Sequence, residues 1–299
     1  MKDASYVLVT PVCNEEATIE ITLQSVLAQT LLPREWIIVS NGSTDRTEEI
    51  VDRYAREHSF IKLLKQPVTG PRNFAAVVHA DEAGYKALQT KDYDFIGLLD
   101  ADVRFNPDYF ATLISRFNDD PQLGLAGGRV LDVIDGKTPW QRQYLKDISG
   151  AAQFFRRECF ESLGGLAPIP EGGWDAITCC VARANGYHTQ TFPDLIMEHL
   201  KPRNVGEGNK LRRKWQMGLR DYAIGNDPLF EILKCAFRFR EQPFLIGAVA
   251  RICGYAGCVL RHQPRVLSPK VVCMVRAEQR ARIFPWRRSR QVLASHESR

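Results

Sequence analysis

The chain has 299 residues, of which 44% are hydrophobic and 25% are charged. This composition is typical of a globular protein with a buried core and excludes a disordered or fibrous chain. The net charge of +5 is unevenly distributed, because residues 261–299 hold ten Lys and Arg against two acids, leaving −3 for residues 1–260. The asymmetry argues against nucleic acid as a partner and favours an anionic membrane leaflet beside the C-terminal region. A solvated basic helix is the alternative.

The N-terminal sequence and the cysteines indicate the compartment. Residues 1–4 lead directly into a strand-like segment, without the apolar core of a signal peptide. The eight Cys lack the paired spacing of a metal site, which is typical of buried free thiols in a reducing cytosol. The apolar stretch 243–260 contains Arg251 and is shorter than the about 20 residues of a transmembrane helix. We expect a cytoplasmic protein whose 243–260 segment lies in a membrane interface or against a partner.

The first half of the chain alternates between apolar runs of strand length and segments with helical spacing of apolar residues. The predicted strands are Tyr6–Thr10, Trp36–Ser40, Ile61–Leu64, Asp94–Leu99 and Leu123–Val130. The predicted helices are Glu15–Gln29, Asp45–Glu57 with Thr44 as its cap, Pro71–Leu88, Pro107–Phe117 and Asp175–Asn185. This alternation predicts an α/β protein with a mostly parallel sheet flanked by helices. The chain is mostly helical and basic from Asn209 onward, so we predict a domain of residues 1–205 and a helical C-terminal region of residues 206–299.

Two carboxylates follow the fourth predicted strand directly, in Asp100-Ala101-Asp102. Ligands of open α/β sheets lie just beyond the carboxyl ends of the strands. Two acids at such a place can hold a hard divalent cation, which in turn can bind a diphosphate. An Asp-rich turn after an ordinary strand is the alternative, because Asp also favours turns.

Three further motifs precede this pair in a fixed order. They are Thr10-Pro11-Val12-Cys13-Asn14-Glu15, then Val39-Ser40-Asn41-Gly42-Ser43-Thr44-Asp45, then Gly70-Pro71-Arg72-Asn73. The ordered set resembles the family 2 glycosyltransferases over about residues 5–200. The resemblance implies the GT-A fold and a nucleotide-sugar donor.

The resemblance also implies which residues bind the donor nucleotide. They are Pro11, Asn14, Glu15, Asn41, Arg72 and Asp100. The turn Ser40-Asn41-Gly42-Ser43 replaces the commoner Asp-Asp-Gly-Ser, so an acidic contact with a uracil ring is missing, and Asn41 or Ser40 would replace it through neutral hydrogen bonds. Uridine is the expected nucleoside and guanosine the alternative. A helix start at Asn14-Glu15 and a surface role for Arg72 are the structural alternatives.

The metal ligands implied by the resemblance are Asp102, Asp100 and His199. Asp102 would be the direct ligand, and Asp100 would lie nearer the ribose or a metal-bound water. Mg²⁺ or Mn²⁺ would bridge the phosphates, and an imidazole ligand from His199 would favour Mn²⁺. A lone His is also common as a structural or surface residue.

An inverting transfer needs a carboxylate that takes the proton of the acceptor hydroxyl. Relatives usually carry a Glu-Asp pair after Gly-Gly-Trp, but here Gly172-Gly173-Trp174 is followed by Asp175 and then by apolar residues. We predict Asp175 as the base, with Glu171 as the reserve. A helix cap is the structural alternative for Asp175.

The resemblance implies a metal-dependent inverting glycosyltransferase at the cytoplasmic face of a membrane. It would move a sugar from a nucleotide-diphosphate donor, with UDP as first choice, to a glycan or lipid-linked glycan in polysaccharide or cell-envelope synthesis. A sugar nucleotidyltransferase and a degenerate sugar-nucleotide-binding protein without catalysis are the alternatives. A dinucleotide oxidoreductase is disfavoured because no Gly-x-Gly-x-x-Gly follows the first strand.

Overall fold

The computed structural model describes residues 4–67, 73–134, 136–138, 144–201, 210–240 and 242–284. The chain divides into two compact units, Met1–Gly206 and Glu207–Arg299. The strands are β1 Tyr6–Val12, β2 Glu35–Asn41, β3 Ile61–Gln66, β4 Phe95–Leu99, β5 Val103–Phe105, β6 Leu123–Asp132, β7 Ala152–Arg156 and β8 His188–His199. The helices of the first unit are α1 Ile19–Leu27, α2 Thr47–Glu57, α3 Ala75–Ala87, α4 Tyr109–Asp119, α5 Arg157–Ser162 and α6 Trp174–Ala184.

The strands form one sheet in the order β3-β2-β1-β4-β7-β6-β8-β5. β1, β2, β3 and β4 pair in parallel, and β6 pairs in parallel with β8. β7 is antiparallel to both β4 and β6, and β5 is antiparallel to β8. Helices cover the sheet on two faces, each with its own apolar core. The predicted α/β fold with a mostly parallel sheet is therefore confirmed.

The central strands are buried on both faces, which explains their continuous apolar sequences. Tyr6 and Leu8 of β1 belong to one core, while Val7 and Val9 belong to the other. Helix α3 lies close to the sheet at Gly84, where a Cβ atom would come within 2.4 Å of the Val9 side chain. Because β1 to β4 run in parallel, their carboxyl ends lie at one edge of the sheet, and the loops that follow them converge there.

Some predicted boundaries are wrong. Helix α1 begins at Ile19, because residues 15–18 form a turn, and α3 begins at Ala75. Thr44 is not the cap of α2; instead, Asp45 accepts hydrogen bonds from the backbone N–H and the hydroxyl of Thr47 at 3.0 and 2.6 Å. Strands β5 and β7 are not predicted. The sequence between Asp194 and Glu198 predicts an edge strand, but this segment belongs to β8, which lies between β6 and β5 in the sheet. Two of the eight cysteines, Cys253 and Cys273, are exposed rather than buried.

The second unit contains the helices α7 Lys210–Ala223, α8 Pro228–Phe237, α9 Ile246–Leu260 and α10 Pro269–Ile283. Helices α7 and α9 pack at very close range, because a Cβ atom at Gly218 or Gly254 would collide with the backbone of the other helix. Arg251 of α9 is buried against Asp221 of α7, with 2.5 Å between guanidinium and carboxylate. Within the described ranges, no helix has both the length and the apolar character needed to cross a bilayer.

Candidate metal and nucleotide site

Asp100, Asp102 and His199 come together at the carboxyl end of β4. Asp100 and Asp102 follow β4, and antiparallel pairing places His199, the last residue of β8, opposite Val103. His199 Nε2 lies 3.5 Å from Asp100 Oδ2 and 3.4 Å from Asp102 Oδ1. One ligand atom from each of the three residues lies within 4.8 Å of the others. The structure therefore brings all three predicted metal ligands together.

The electrostatics of this cluster suit a divalent cation. Burial, followed by the nearby charge of Asp100, raises the pKa of Asp102 to about 7. Burial opposes the charge of His199, but the hydrogen bond to Asp100 and the charge of Asp102 raise its pKa overall. Asp102 is buried and Asp100 is half-buried beside it, so the two carboxylates repel each other, and a cation would remove that cost. The donor set of two carboxylate oxygens and one imidazole nitrogen fits Mn²⁺ or Mg²⁺.

Hydrogen bonds orient His199 and fix the backbone around Asp102. His199 Nδ1 is hydrogen-bonded to the backbone carbonyl of Lys201, which leaves Nε2 facing the carboxylates. The backbone N–H of Leu200 donates to the Asp102 carbonyl at 2.8 Å. The Thr22 hydroxyl of α1 bonds to the carbonyl groups of Ala101 and Val103, at 2.9 Å each. A ligand imidazole fixed through its second nitrogen is a recurring feature of metal sites.

The turn after β1 lies beside this cluster. Asn14 has a positive φ of 58°, a region in which Asn is tolerated better than most residues. Its side-chain Oδ1 accepts a hydrogen bond from the Thr44 backbone N–H at 2.8 Å. Lys201 Nζ contacts the Glu15 carboxylate at 2.5 Å and the Asn14 carbonyl at 3.4 Å. Lys201 thus links Asn14 and Glu15 to the candidate metal ligand His199, and the sequence did not single out this basic residue.

A carboxylate at the start of α2, which the sequence did not predict, lies beside the turn after β2. Ser40 is fully buried, and its hydroxyl donates to Glu48 Oε1 at 2.7 Å. Asn41 is half-buried at the end of β2, and Pro11 is half-buried near the end of β1. Arg72 lies outside the described residues. The turn lacks both acids of the commoner Asp-Asp-Gly-Ser motif, but the Glu48 carboxylate lies beside it.

The two candidate bases precede and begin helix α6. Gly172 and Gly173 have positive φ values of 83° and 94°, which Gly adopts without strain. Gly173 is the N-cap of α6, so Asp175 is not the cap. Asp175 Oδ2 accepts a hydrogen bond from the Gly150 backbone N–H at 3.3 Å. Glu171 is half-buried in the preceding loop.

A short series of hydrogen bonds connects Asp175 to the candidate metal ligands. Gly150 is followed by Ala151, whose carbonyl accepts a hydrogen bond from the Asp100 backbone N–H at 3.1 Å. The next residue, Ala152, pairs with Leu99 at the end of β4. Asp175 therefore lies at the same edge of the sheet as Asp100 and Asp102.

The family assignment follows from comparison with known proteins. The model of the family described as "Glycosyl transferase family 2" matches residues 7–177, more than half of the chain. The chain belongs to glycosyl transferase family 2. This confirms the family predicted from the ordered motifs, and the matched residues include every candidate site residue except His199.

Curated relatives of this family 2 chain include poly-beta-1,6-N-acetyl-D-glucosamine synthases. That of Staphylococcus aureus strain COL is 33% identical over 240 residues, covering 70% of this chain and 54% of the relative. That of Staphylococcus epidermidis is 30% identical over 115 residues, covering 38% of this chain and 26% of the relative. The chain spans about half the length of the S. aureus relatives it matches.

Solved structures share the fold at low sequence identity. The mannosyltransferase PcManGT from Pyrobaculum calidifontis, in complex with GDP-Man and Mn²⁺, is 19% identical, with a TM-score of 0.55 and coverage of 97% of this chain and 84% of that one. S. aureus TarS 1-349, in complex with UDP-GlcNAc, is 12% identical, with a TM-score of 0.53 and coverage of 84% and 71%. At these identities the likeness concerns the fold.

Proposed function

We propose that this protein is a metal-dependent inverting glycosyltransferase that uses a UDP-sugar donor. The observation that carries the proposal is the group formed by Asp100, Asp102 and His199, at the carboxyl end of β4 in a family 2 domain. Asp102 and His199 would hold Mn²⁺ or Mg²⁺, with Asp100 beside them. The cation would neutralise charge on the departing nucleoside diphosphate, and the imidazole ligand favours Mn²⁺.

The reaction needs a base at the opposite end of the donor sugar. We assign this role to Asp175, whose carboxylate would accept the proton of the acceptor hydroxyl as its oxygen attacks the anomeric carbon. The bond from that carbon to the nucleoside diphosphate breaks as the new glycosidic bond forms, so the configuration inverts. Glu171, four residues earlier in the loop before α6, is the alternative base.

The named ligands and products of the similar proteins support the substrate class. The curated relatives are poly-beta-1,6-N-acetyl-D-glucosamine synthases, and the TarS structure holds UDP-GlcNAc. A UDP-hexose or UDP-N-acetylhexosamine is therefore the proposed donor, and a growing glycan or lipid-linked glycan of the cell envelope is the proposed acceptor. The PcManGT structure, which holds GDP-Man and Mn²⁺, keeps guanosine as the alternative nucleoside.

The substitution Asp102→Asn tests the metal-dependent mechanism. It should reduce sugar transfer by at least about 10³-fold, because the neutral amide is a far weaker metal ligand than a carboxylate. Transfer is measured as nucleoside diphosphate release from UDP-sugars at increasing Mn²⁺. Asp194→Asn is the matched control, since Asp194 is an exposed acid paired with Arg116 on the same domain.

Three results would contradict this mechanism. Unchanged turnover in Asp102→Asn would remove the role of the metal. Pyrophosphate release from a nucleoside triphosphate would indicate a nucleotidyltransferase instead. Nucleotide-sugar binding in the wild type without any turnover would indicate a degenerate binding protein. Thermal melting of both variants checks that they remain folded.

We also propose that the second unit contacts the anionic surface of a membrane at the cytoplasmic face. Helix α9 exposes an apolar face at helical spacing, with Ile246 and Val249 each more than half exposed. Phe244 and Leu245, just before the helix, are also more than half exposed. An exposed apolar face beside a strongly basic segment is typical of a helix that lies in the membrane interface.

A further inference from the structure

The turn Ser40-Asn41-Gly42-Ser43 lacks the two Asp residues of the commoner motif, so the donor nucleobase needs another partner. Ser40 is fully buried, and its hydroxyl already donates to Glu48 Oε1 at 2.7 Å and contacts the Ser43 hydroxyl at 3.1 Å. A buried hydroxyl with two partners is poorly placed to contact a ligand directly. Its role is instead to hold the Glu48 carboxylate at the end of β2.

Two protein groups hold the Glu48 carboxylate, and its oxygens can accept further hydrogen bonds. Lys65 of β3, which pairs with Ser40 across the sheet, places its Nζ 3.1 Å from Glu48 Oε2. Each carboxylate oxygen thus has one protein partner, while a carboxylate offers about four acceptor positions. The Glu48 side chain is 27% exposed, so a ligand can reach it.

Glu48 lies on the same continuous line of contacts as the metal ligands. The Ser43 hydroxyl joins the Ser40 hydroxyl to the Asn14 backbone N–H, which donates to it at 3.2 Å. From Asn14 the line continues through Lys201 to His199. Under the proposed function the diphosphate would lie at Asp102, and the nucleobase would lie toward Glu48 at the other end of this series of contacts.

We propose that Glu48 is a specificity-determining residue that accepts a hydrogen bond from a ring N–H of the donor nucleobase. This deepens, and rests on, the proposed function. Uracil has an N–H at N3 and guanine has one at N1, and both would satisfy the carboxylate. Cytosine N3 and adenine N1 carry no hydrogen, so they would place one acceptor against another. Sites built to bind an N–H discriminate strongly against analogues that lack it.

The substitution Glu48→Gln tests this role. Ser40 and Lys65 both donate to Glu48, and an amide has one oxygen to share between them, so its NH₂ group would face the base. We expect UDP to bind at least about tenfold more weakly to the variant, with CDP binding changed by less than about threefold. Dissociation constants for UDP, GDP, CDP and ADP with Mn²⁺ are measured by calorimetry on the full chain.

The matched control is Asp52→Asn. The Asp52 carboxylate lies 3.2 Å from Lys65 Nζ, so this variant changes the surroundings of the same lysine. It leaves the hydrogen bond from Ser40 to Glu48 unchanged. It should bind all four nucleotides like the wild type. The measurements with UDP and GDP identify the donor nucleobase. The nucleotide that loses affinity in Glu48→Gln is the one whose ring N–H donates to the carboxylate.

Two outcomes would overturn the role of Glu48. One is an equal loss for all four nucleotides in Glu48→Gln, which would mean that Glu48 only supports the turn. The other is a wild type that binds CDP as tightly as UDP and GDP. Failure of the proposed function itself is distinct, because the wild type would then show no metal-dependent binding of any nucleoside diphosphate.

Discussion

Asp175 and Glu171 are the two candidates for the catalytic base, and their surroundings differ. Asp175 is bound to the Gly150 backbone at the edge that carries Asp100, whereas Glu171 lies in the loop before Gly172. We expect Asp175→Asn to lower kcat by about 10²- to 10⁴-fold, the usual contribution of a general base. Glu171→Gln should stay within a few-fold of the wild type. Steady-state transfer rates at saturating donor measure both effects.

Separate values of kcat and KM show whether Asp175 acts in the chemical step. A base lost from that step lowers kcat and leaves the KM for the donor nearly unchanged. Full activity in Asp175→Asn together with a large loss in Glu171→Gln would reverse the assignment. Full activity in both variants would mean that neither is the base, although the enzyme class would stand.

Single residues at strand ends were predictable where the contact is local to one motif. Asp100 and Asp102 follow an apolar strand directly, and the resemblance supplied His199 at the end of another. Lys201 and Glu48 were not predictable in this way. Lys201 contacts Glu15 across 186 residues of sequence, and Glu48 reaches Ser40 only because α2 begins beside the end of β2. Such contacts depend on how the elements pack, and sequence periodicity does not report that.

At the scale of elements, the alternation of strand and helix predicted the parallel half of the sheet but little of the rest. Strands β1, β2 and β4 are buried on both faces, so their sequences are largely continuous apolar runs, whereas the edge strand β3 is only partly buried and contains two Lys. Strands β5 and β7 have three and five residues, too few to show a period. Strand β8 contains Pro193 and shifts register against β6, which breaks its alternation. Irregular strands are defined by their neighbours rather than by their own sequence.

Close packing of α3 on the sheet gives a prediction at the scale of elements. Gly→Ala in the middle of a helix is normally stabilising by about 0.5–1 kcal/mol. At Gly84, however, a methyl group would lie 2.4 Å from Val9 Cγ1 and 2.9 Å from Val39 Cγ2. We therefore expect Gly84→Ala to lower the free energy of unfolding by about 1–3 kcal/mol, the usual cost of overpacking a core. Urea unfolding followed by circular dichroism measures the change.

Gly257 is the matched control for this effect. It also lies inside a helix, α9, but a Cβ atom there meets nothing within 4 Å. Gly257→Ala should therefore be neutral or stabilising, by up to about 1 kcal/mol. If Gly84→Ala proved as stable as the wild type, α3 would have to move away from β1 and β2 at little cost, which contradicts the packing described above.

At the scale of the whole molecule, charge and apolar surface are both concentrated in the C-terminal part of the chain. The net charge is +8 over residues 261–299 and −3 over residues 1–260. The second unit orients α9 through buried Arg251, which pairs with Asp221 and Glu231 on the inner side. The only charged side chain of that helix is thus directed inward, and the outward face stays apolar. Such a helix has its polar and apolar sides reversed relative to a helix on a water-exposed surface.

This reversal predicts binding to anionic membranes. The full chain should sediment with vesicles of phosphatidylcholine and phosphatidylglycerol at low salt, and much less with pure phosphatidylcholine, because the basic segment needs anionic lipid. The double substitution Ile246→Ser and Val249→Ser should weaken binding by at least about tenfold, since two apolar side chains would no longer enter the interface. Leu32→Ser with Leu145→Ser, which alters two exposed apolar residues of the first unit, should bind like the wild type. If the α9 variant bound vesicles normally but changed from dimer to monomer in light scattering, a second copy of the chain would be the partner of this face instead.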